Sequence, residues 1–331
     1  MPLRSGLGAQ IGVATEETYG TYKAPTRFLP FDSESITFEP QYVRNQALRT
    51  GRMAQAQNLH RKTTGTVSGD FSTKLFDQGM GILFNLLHGN AVSPTKITEK
   101  SEEVYKQTHA IGLTDPYGKS LTVQVGRPGT GGTIHPFSYL GCKVMAVTVA
   151  IEAQGEATLN VTVDGQSETT GEALASATYD ADALPFTFQE MSVKLAGATA
   201  ANVRSITLNI SVPQSTDRYH LGNSGKKDQP IANGMVELTA DAELEFASLT
   251  DHNRFKNEEV VKLELLGTGA EIGEEGEKFK ANFTAPAAKQ VSSSPTVQGP
   301  DIITQSVSFE LLDNGSEAPL TFEYFSTDSA L

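Results

Sequence analysis

The stretch 234–246, GMVELTADAELEF, alternates without a break. Val236, Leu238, Ala240, Ala242, Leu244 and Phe246 fall on one side, and Glu237, Thr239, Asp241, Glu243 and Glu245 on the other. A period of two means an extended strand with one buried and one wet face. Carboxylates two residues apart on a strand sit roughly 7 Å apart. Each such pair repels by about 0.6 kcal/mol in water and by more where water is excluded. The acidic face must therefore look onto solvent, or onto something served by negative charge beside it.

The same alternation recurs along the chain, at 10–13, 35–39, 65–71, 120–125, 137–140, 143–151 and 158–163. It resumes at 186–195, 204–212, 260–266, 279–283, 305–312 and 320–325. The chain is expected to be mainly β. Two segments depart from period two. In 72–87, Leu75, Phe76, Gly79, Met80, Leu83, Phe84 and Leu87 recur at helical spacing, with Ser72 as N-cap and Gly89 as stop. A shorter helix is expected at 248–256. Glycine-rich tips are expected at 126–132 and, with many acids, at 267–278. The segment 41–63 carries Arg44, Arg49, Arg52, Arg61 and Lys62, with no acid between Glu39 and Asp70. It reads as a long functional or disordered loop.

The two halves echo each other in order. Ser35–Phe38 resembles Ser205–Leu208 at an offset of 205 − 35 = 170, and Gly65–Val67 resembles Gly234–Val236 at 234 − 65 = 169. A helical segment follows each. Then 121–126 resembles 262–267, and Leu159–Val163 resembles Val307–Leu311 at 307 − 159 = 148. A rival register matches 136–163 to 185–212, but only the longer offset continues through strand, helix and strand. The expectation is a diverged internal duplication: two tandem β-sandwich domains, each with a flanking α-helix. The division is an N-terminal arm with a first strand (1–30), a first domain (31–166), a linker (167–185) and a second domain (186–331). An insertion near 90–118 in the first copy, polar and irregular with a short strand around 105–111, accounts for the shrinking offset.

Charge is unevenly placed. Residues 1–166 hold 15 Lys/Arg and 14 Asp/Glu, giving +1, and residues 167–331 hold 11 and 25, giving −14, so the second half carries the whole excess of the net −13. An acidic chain is a poor tight binder of DNA, whose phosphates supply most of that affinity. No segment has the roughly 18 apolar residues of a membrane span. The N-terminus lacks the apolar run of a signal peptide, so folding in a cytosol is expected. One cysteine, Cys142, rules out a disulfide within the chain and reads as a small core hydrophobe. Six histidines show no metal-ligand spacing, and no nucleophile elbow is present. No catalytic residue, cofactor or metal is expected, and the chain reads as a non-enzyme.

Three segments carry a resemblance: SGLGAQIGVATEETYGTYKAPTRFLPFDSESITFEP, GTVSGDFSTKLFDQGMGILFNLLHG and KSLTVQVGRPGTGGTIHPFSYLGCKV. They resemble a tail tube (major tail) protein of long-tailed, non-contractile, siphovirus-type bacteriophages. The resemblance implies β-sandwiches assembled into stacked rings, a hollow tube for genome delivery. It places the protein in the virion tail, and in host cytoplasm during assembly. It implies as partners other copies of the chain, a tape-measure protein, a tail terminator and a distal tail protein, with DNA passing unbound. Two domains per chain would give a homotrimeric ring of pseudo-sixfold symmetry. Asp70, Glu237, Asp241, Glu243 and Glu245 are then candidates to line the lumen. Arg44, Arg49, Arg52, Arg61 and Lys62 are candidates for an inter-subunit or inter-ring loop. The alternative is a surface adhesin or fibre module of immunoglobulin-like sandwiches, which would expect a secretion route. A carbohydrate-active β-sandwich would expect carboxylate pairs among aromatic platforms, and the chain has no Trp.

Overall fold

Two layers of antiparallel sheet, and two long strands that belong to both layers, organise the chain. The computed structural model describes residues 4–97, 103–273, 276–297 and 299–331. The first half contributes β1 (Gln10–Thr15), β2 (Arg27–Leu29), β3 (Thr37–Arg44), β4 (His60–Lys74), α1 (Gly81–Phe84) and β5 (Tyr105–Ile111). It continues with β6 (Leu121–Pro128), β7 (Ile134–Glu152), β8 (Thr158–Gly165) and β9 (Ser167–Thr169). The second half contributes β10 (Met191–Leu195), β11 (Val203–Ser211), β12 (Glu237–Glu245) and α2 (Thr250–Lys256). It ends with β13 (Val260–Glu271), β14 (Lys278–Ser292), β15 (Thr304–Leu311) and β16 (Leu320–Ser326).

One layer runs β3-β4-β8-β7-β11-β12-β15-β14 without a gap, so a single sheet crosses from the first half into the second between β7 and β11. The other layer has two parts. In the first half it runs β9-β7-β6-β1-β2. In the second it runs β5-β16-β14-β13-β10.

The pairing pattern repeats. In each half a hairpin-linked pair (β3/β4, β11/β12) is followed by a short helix, then by an outer strand (β6, β13) and a long strand shared by both layers (β7, β14). An inner strand (β8, β15) and an outer strand (β9, β16) then complete the half. The sequence offsets recur in the register: Asp70 pairs with Thr162, and adding 169 and 148 gives Thr239 and Glu310, which also pair.

The long strands change layers at residues that break ladders. β7 bends at Gly141, whose φ of +65° disfavours side chains. β14 changes partner from β16 to β15 across Pro286, which has no N–H to give to a ladder. Residues 137–140 and 143–151 therefore lie in one strand rather than the two expected, because the chain passes from one layer to the other at Gly141 without a break.

The core lies between the layers and forms one cluster. Val67, Phe71, Val147, Val149, Leu159, Val161, Ile206, Leu208, Leu238 and Phe309 face it from the inner sheet. Ile11, Val13, Val123, Leu265 and Phe283 face it from the outer. Burying side chains of this size contributes about 1.5–3 kcal/mol each. Phe84 of α1 packs 4.1 Å from Phe322, which stacks 4.5 Å from Phe283, so the first half's helix is seated in the second half's outer sheet.

Several expectations are corrected. The predicted helix over 72–87 is strand through Lys74 and becomes helical only at Gly81, with one α turn and a 3-10 turn to Leu87. Gly79, with φ of +82°, interrupts any longer helix, and its N–H donates to Asp328 Oδ2 at 2.7 Å. The first strand expected in 1–30 is present as β1, with Ile11 and Val13 fully buried between β2 and β6. The linker span opens with β9, paired to β7. The strand expected from 186 begins at Met191. Within 90–118, the short strand expected around 105–111 is present as β5, and it pairs with β16. Glu274 and Glu275 of the acidic tip lie outside the described residues.

Candidate functional site

The inner sheet has one face in the core and one that its own chain leaves uncovered. Directly paired residues share a face, so the register shows who stands beside whom. One row across the sheet reads Asp70, Thr162, Ala146, Ser211, Glu237. The next reads Ser72, Asn160, Thr148, Asn209, Thr239, Glu310. A third reads Lys74, Thr158, Ala150, Thr207, Asp241, Ser308. The surface is a lawn of small hydroxyl, amide and methyl groups set with carboxylates. All five acidic residues singled out in the sequence are on it. Asp70 and Glu237 come from different halves and share a row. Asp241, Glu243 and Glu245 follow Glu237 up β12, whose burial alternates as the sequence predicts.

Hydrogen bonds hold the lawn flat. Thr162 Oγ1 donates to Asp70, Thr148 Oγ1 to Asn209 Oδ1 at 3.1 Å, and Ser308 Oγ to Asp241 Oδ1 at 2.6 Å. The cations at the margins are engaged: Lys74 by Asp32 and Glu156, and Lys289 by Glu258. The face is left net negative. It has no concave centre and no converging donors. Among the described residues no group of three or more His, Cys, Asp or Glu is placed to hold a metal.

The basic segment is the second feature. It is a β-hairpin rather than a loop: β3 and β4 stay paired out to Arg44 and His60. Only 45–59 lies outside the ladder, closed by a 3-10 turn at Gln57–Leu59. Sequence reading missed the strands because both faces are exposed, so no apolar alternation marks them. Stacking replaces burial. Tyr42 lies on His60 with centroids 4.7 Å apart, and Lys62 Nζ sits 4.5 Å from the centroid of Phe38. Arg49 donates to Asn58 Oδ1 at 3.2 Å. Among the described residues none of Arg44, Arg49, Arg52, Arg61 and Lys62 forms an ion pair.

The hairpin's root is fixed. Arg127 of β6 grips Glu34 through two hydrogen bonds of 3.0 and 2.8 Å and donates to Ile36 O at 2.7 Å. On the other side lies the connection 212–236 from the second half. Tyr219 Oη donates to Gly65 O at 3.3 Å, and Gln166 Nε2 donates to Lys227 O at 2.8 Å. The fully buried Lys227 ammonium pairs with Asp164. Burial holds the Asp164 carboxyl above its usual range, although the ammonium beside it pulls the other way. Nothing in the local sequence signals this pair, whose members are 63 residues apart.

Two histidines that look scattered also meet. His88 Nε2 and His109 Nδ1 are 3.2 Å apart between the turn after α1 and β5. Burial lowers both, His88 to about 4 and His109 to about 3. Cys142 is fully buried in the core, and burial pushes its thiol well above the ordinary range. Among the described residues no helix is long and apolar enough to cross a membrane.

Comparison with known proteins agrees with this architecture. None of the curated proteins matches the chain. A family model described as phage tail tube protein matches residues 6–311 of the 331. A mainly β chain of two repeated strand patterns, with a polar sheet face and no assembled catalytic or metal centre among its described residues, thus belongs to the phage tail tube proteins, structural components of the virion tail.

Proposed function

We propose that the chain is two copies of one β domain, divided within 167–185, and that three chains close into a pseudo-sixfold ring. The rings stack into the tube through which the genome is delivered. The uncovered polar face lines the lumen, with Asp70, Glu237, Asp241, Glu243 and Glu245 on the wall. The observation that carries this reading is the inner sheet itself: eight described strands share one polar face. The outer edge of β3 has no partner among the described residues, and β14 past Lys289 is paired on one side only, to β15. Open edges of that kind invite pairing with another chain, and closure into a barrel removes them.

Geometry favours three chains. Strands lie about 4.8 Å apart, so 24 of them give a circumference of about 115 Å and a backbone diameter of about 37 Å. That leaves a bore for a duplex once side chains are subtracted. Six chains would give about 73 Å, far wider than a duplex needs. A wall of small polar groups and carboxylates, whose marginal Lys74 and Lys289 are already held by carboxylates, offers phosphates little to grip, so DNA slides without sticking. The basic hairpin is the assembly arm that docks on a neighbouring subunit in the next ring. Single surface ion pairs contribute about 0–1 kcal/mol, but several repeated around a ring fix register. The tape-measure, terminator and distal tail proteins are its partners in the tail.

Cryo-electron microscopy of the purified protein tests this. Tubes with three chains per ring and β12 facing the bore are expected. Six chains per ring, or β12 on the exterior, would overturn the assignment. A virion carrying Asp241, Glu243 and Glu245 all changed to Lys is expected to build tubes but eject DNA more slowly.

A further inference from the structure

The strand register gives the molecule two poles. At one, Val67 pairs with Gly165, Lys143 with Asp164, and Ala146 with Ser211. At the other, Lys74 pairs with Thr158, Thr158 with Ala150, and Glu152 with Ser205. The basic hairpin leaves from the first pole. The seven residues from Val67 to His60 alone carry it about 23 Å past the end of β8. At its tip Leu48 and Met53 are 99% and 107% exposed, among cations without ion-pair partners in the described residues.

The second pole holds a groove of about 320 Å³, where β10 and the start of β11 meet the end of β7. Phe188, Met191, Val193 and Val203 line it, with Glu152 and Arg204 at the mouth. Acids gather beside it. Glu156 sits opposite Thr187, and Glu190 accepts the Thr187 N–H at 2.8 Å. Glu243 pairs with Ser205 across the strand. An apolar slot with acidic surroundings thus lies at the pole opposite an arm with two bare apolar side chains and five cations.

Resting on the stacked-ring reading above, we infer that the groove between β10, β11 and β7 receives the hairpin tip of a second copy in the adjacent ring. Leu48 and Met53 enter the slot, and the arginines meet the acids around it. Because arm and groove are at opposite poles, the contact is head-to-tail. Such a contact never saturates within a pair and propagates along a filament. Acids of both halves, Glu152 and Glu156 of the first and Glu190 and Glu243 of the second, then form the socket for the arm's cations.

Cysteine cross-linking tests it without background, since Cys142 is fully buried. Tubes are assembled from the variant Met53→Cys/Ala201→Cys and treated with a mild oxidant or a short bis-maleimide. Ala201 is exposed on the groove's rim. A ladder of covalent multimers is expected on denaturing gels, with at least a tenfold lower yield for either single variant. The control Met53→Cys/Ser33→Cys places the second thiol in a different groove, beside Glu34 and Arg127. A ladder from the Ser33 pair alone, or intact tubes with no ladder from either pair, overturns the docking while leaving the tube standing. Wild-type protein that forms neither rings nor tubes overturns both.

Discussion

The β3–β4 hairpin and the connection between β11 and β12 hold equivalent places in the repeated pairing pattern, yet they behave oppositely. The first projects from the sheet with both faces bare. The second turns back, seats Lys227 against Asp164, and braces the first at Gly65. Their sequences account for this. The hairpin offers cations and no acid, so it has little to fold against on its own chain. The connection mixes Asp217, Arg218, Lys226, Lys227 and Asp228 and can satisfy itself locally. Arg218 Nη1 donates to Gln229 O, and Asn223 Nδ2 donates to Asp228 Oδ1 at 2.9 Å. One half carries a projecting arm, and the other supplies its foundation.

The largest expected effect comes from removing the difference. Replacing 46–58 by an Asn-Gly turn is expected to leave the circular dichroism of the protomer intact and to abolish tubes in micrographs. Tubes of normal length would mean that the two connections differ in shape only.

Next is the foundation. Lys227→Met leaves Asp164 buried without its partner and is expected to cost about 3–5 kcal/mol in urea unfolding. Adding Asp164→Leu should recover most of that loss. A single variant as stable as wild type would show that the connection is not anchored by this pair.

The joint between the halves gives a somewhat smaller, pH-dependent effect. The His88 ring titrates near 4 in the folded protein, against about 6.5 when unfolded. Between those values the unfolded chain takes up a proton that the folded chain refuses, so stability falls as pH falls. The loss from His88 alone is about 3 kcal/mol by pH 4. The variant His88→Leu/His109→Leu should flatten that slope relative to wild type. An unchanged slope would place the acid sensitivity elsewhere.

The smallest effects separate the two halves of the polar face by sign. Asp70→Asn weakens the bond from Thr162 and is expected to destabilise the protomer by about 1 kcal/mol. Glu243→Gln relieves repulsion from Asp241 and Glu245 and is expected to stabilise it by about 0.5 kcal/mol at low salt. Equal signs in thermal melts would mean that the face is electrostatically uniform.

Where burial alternates, the sequence was readable. The inward sets of β8 and β12 follow from period two, and so does the shared face of Asp70 and Glu237 once the repeat is aligned. What escaped has physical causes. Leu75, Met80, Leu83, Phe84 and Leu87 are buried and Phe76 is half-buried, so their spacing mimics a helical stripe although the backbone is strand, turn and one helical turn. The hairpin strands escaped because nothing buries either face. Lys143 and Lys227 look like surface cations. Lys143 is nonetheless buried, with its ammonium donating to Pro116 O and Lys119 O, both at 2.7 Å. Carbonyls that solvate a buried cation leave no mark in the sequence around it. The groove between β10 and β11 is completed by the end of β7 and by Leu265 of β13, both distant in sequence, and no single segment hints at it.

The two strands that pass between layers, Ile134–Glu152 and Lys278–Ser292, have a mechanical consequence. Two sheets held only by apolar contact can slide or peel apart under load, since such contact has no direction. Here the same backbone runs through both leaves, and each leaf grips it with a ladder of hydrogen bonds. To delaminate, the wall would have to shear those ladders all at once rather than unzip them one by one. The fold is stitched as well as glued, with a seam in each half where a glycine or a proline lets the thread turn.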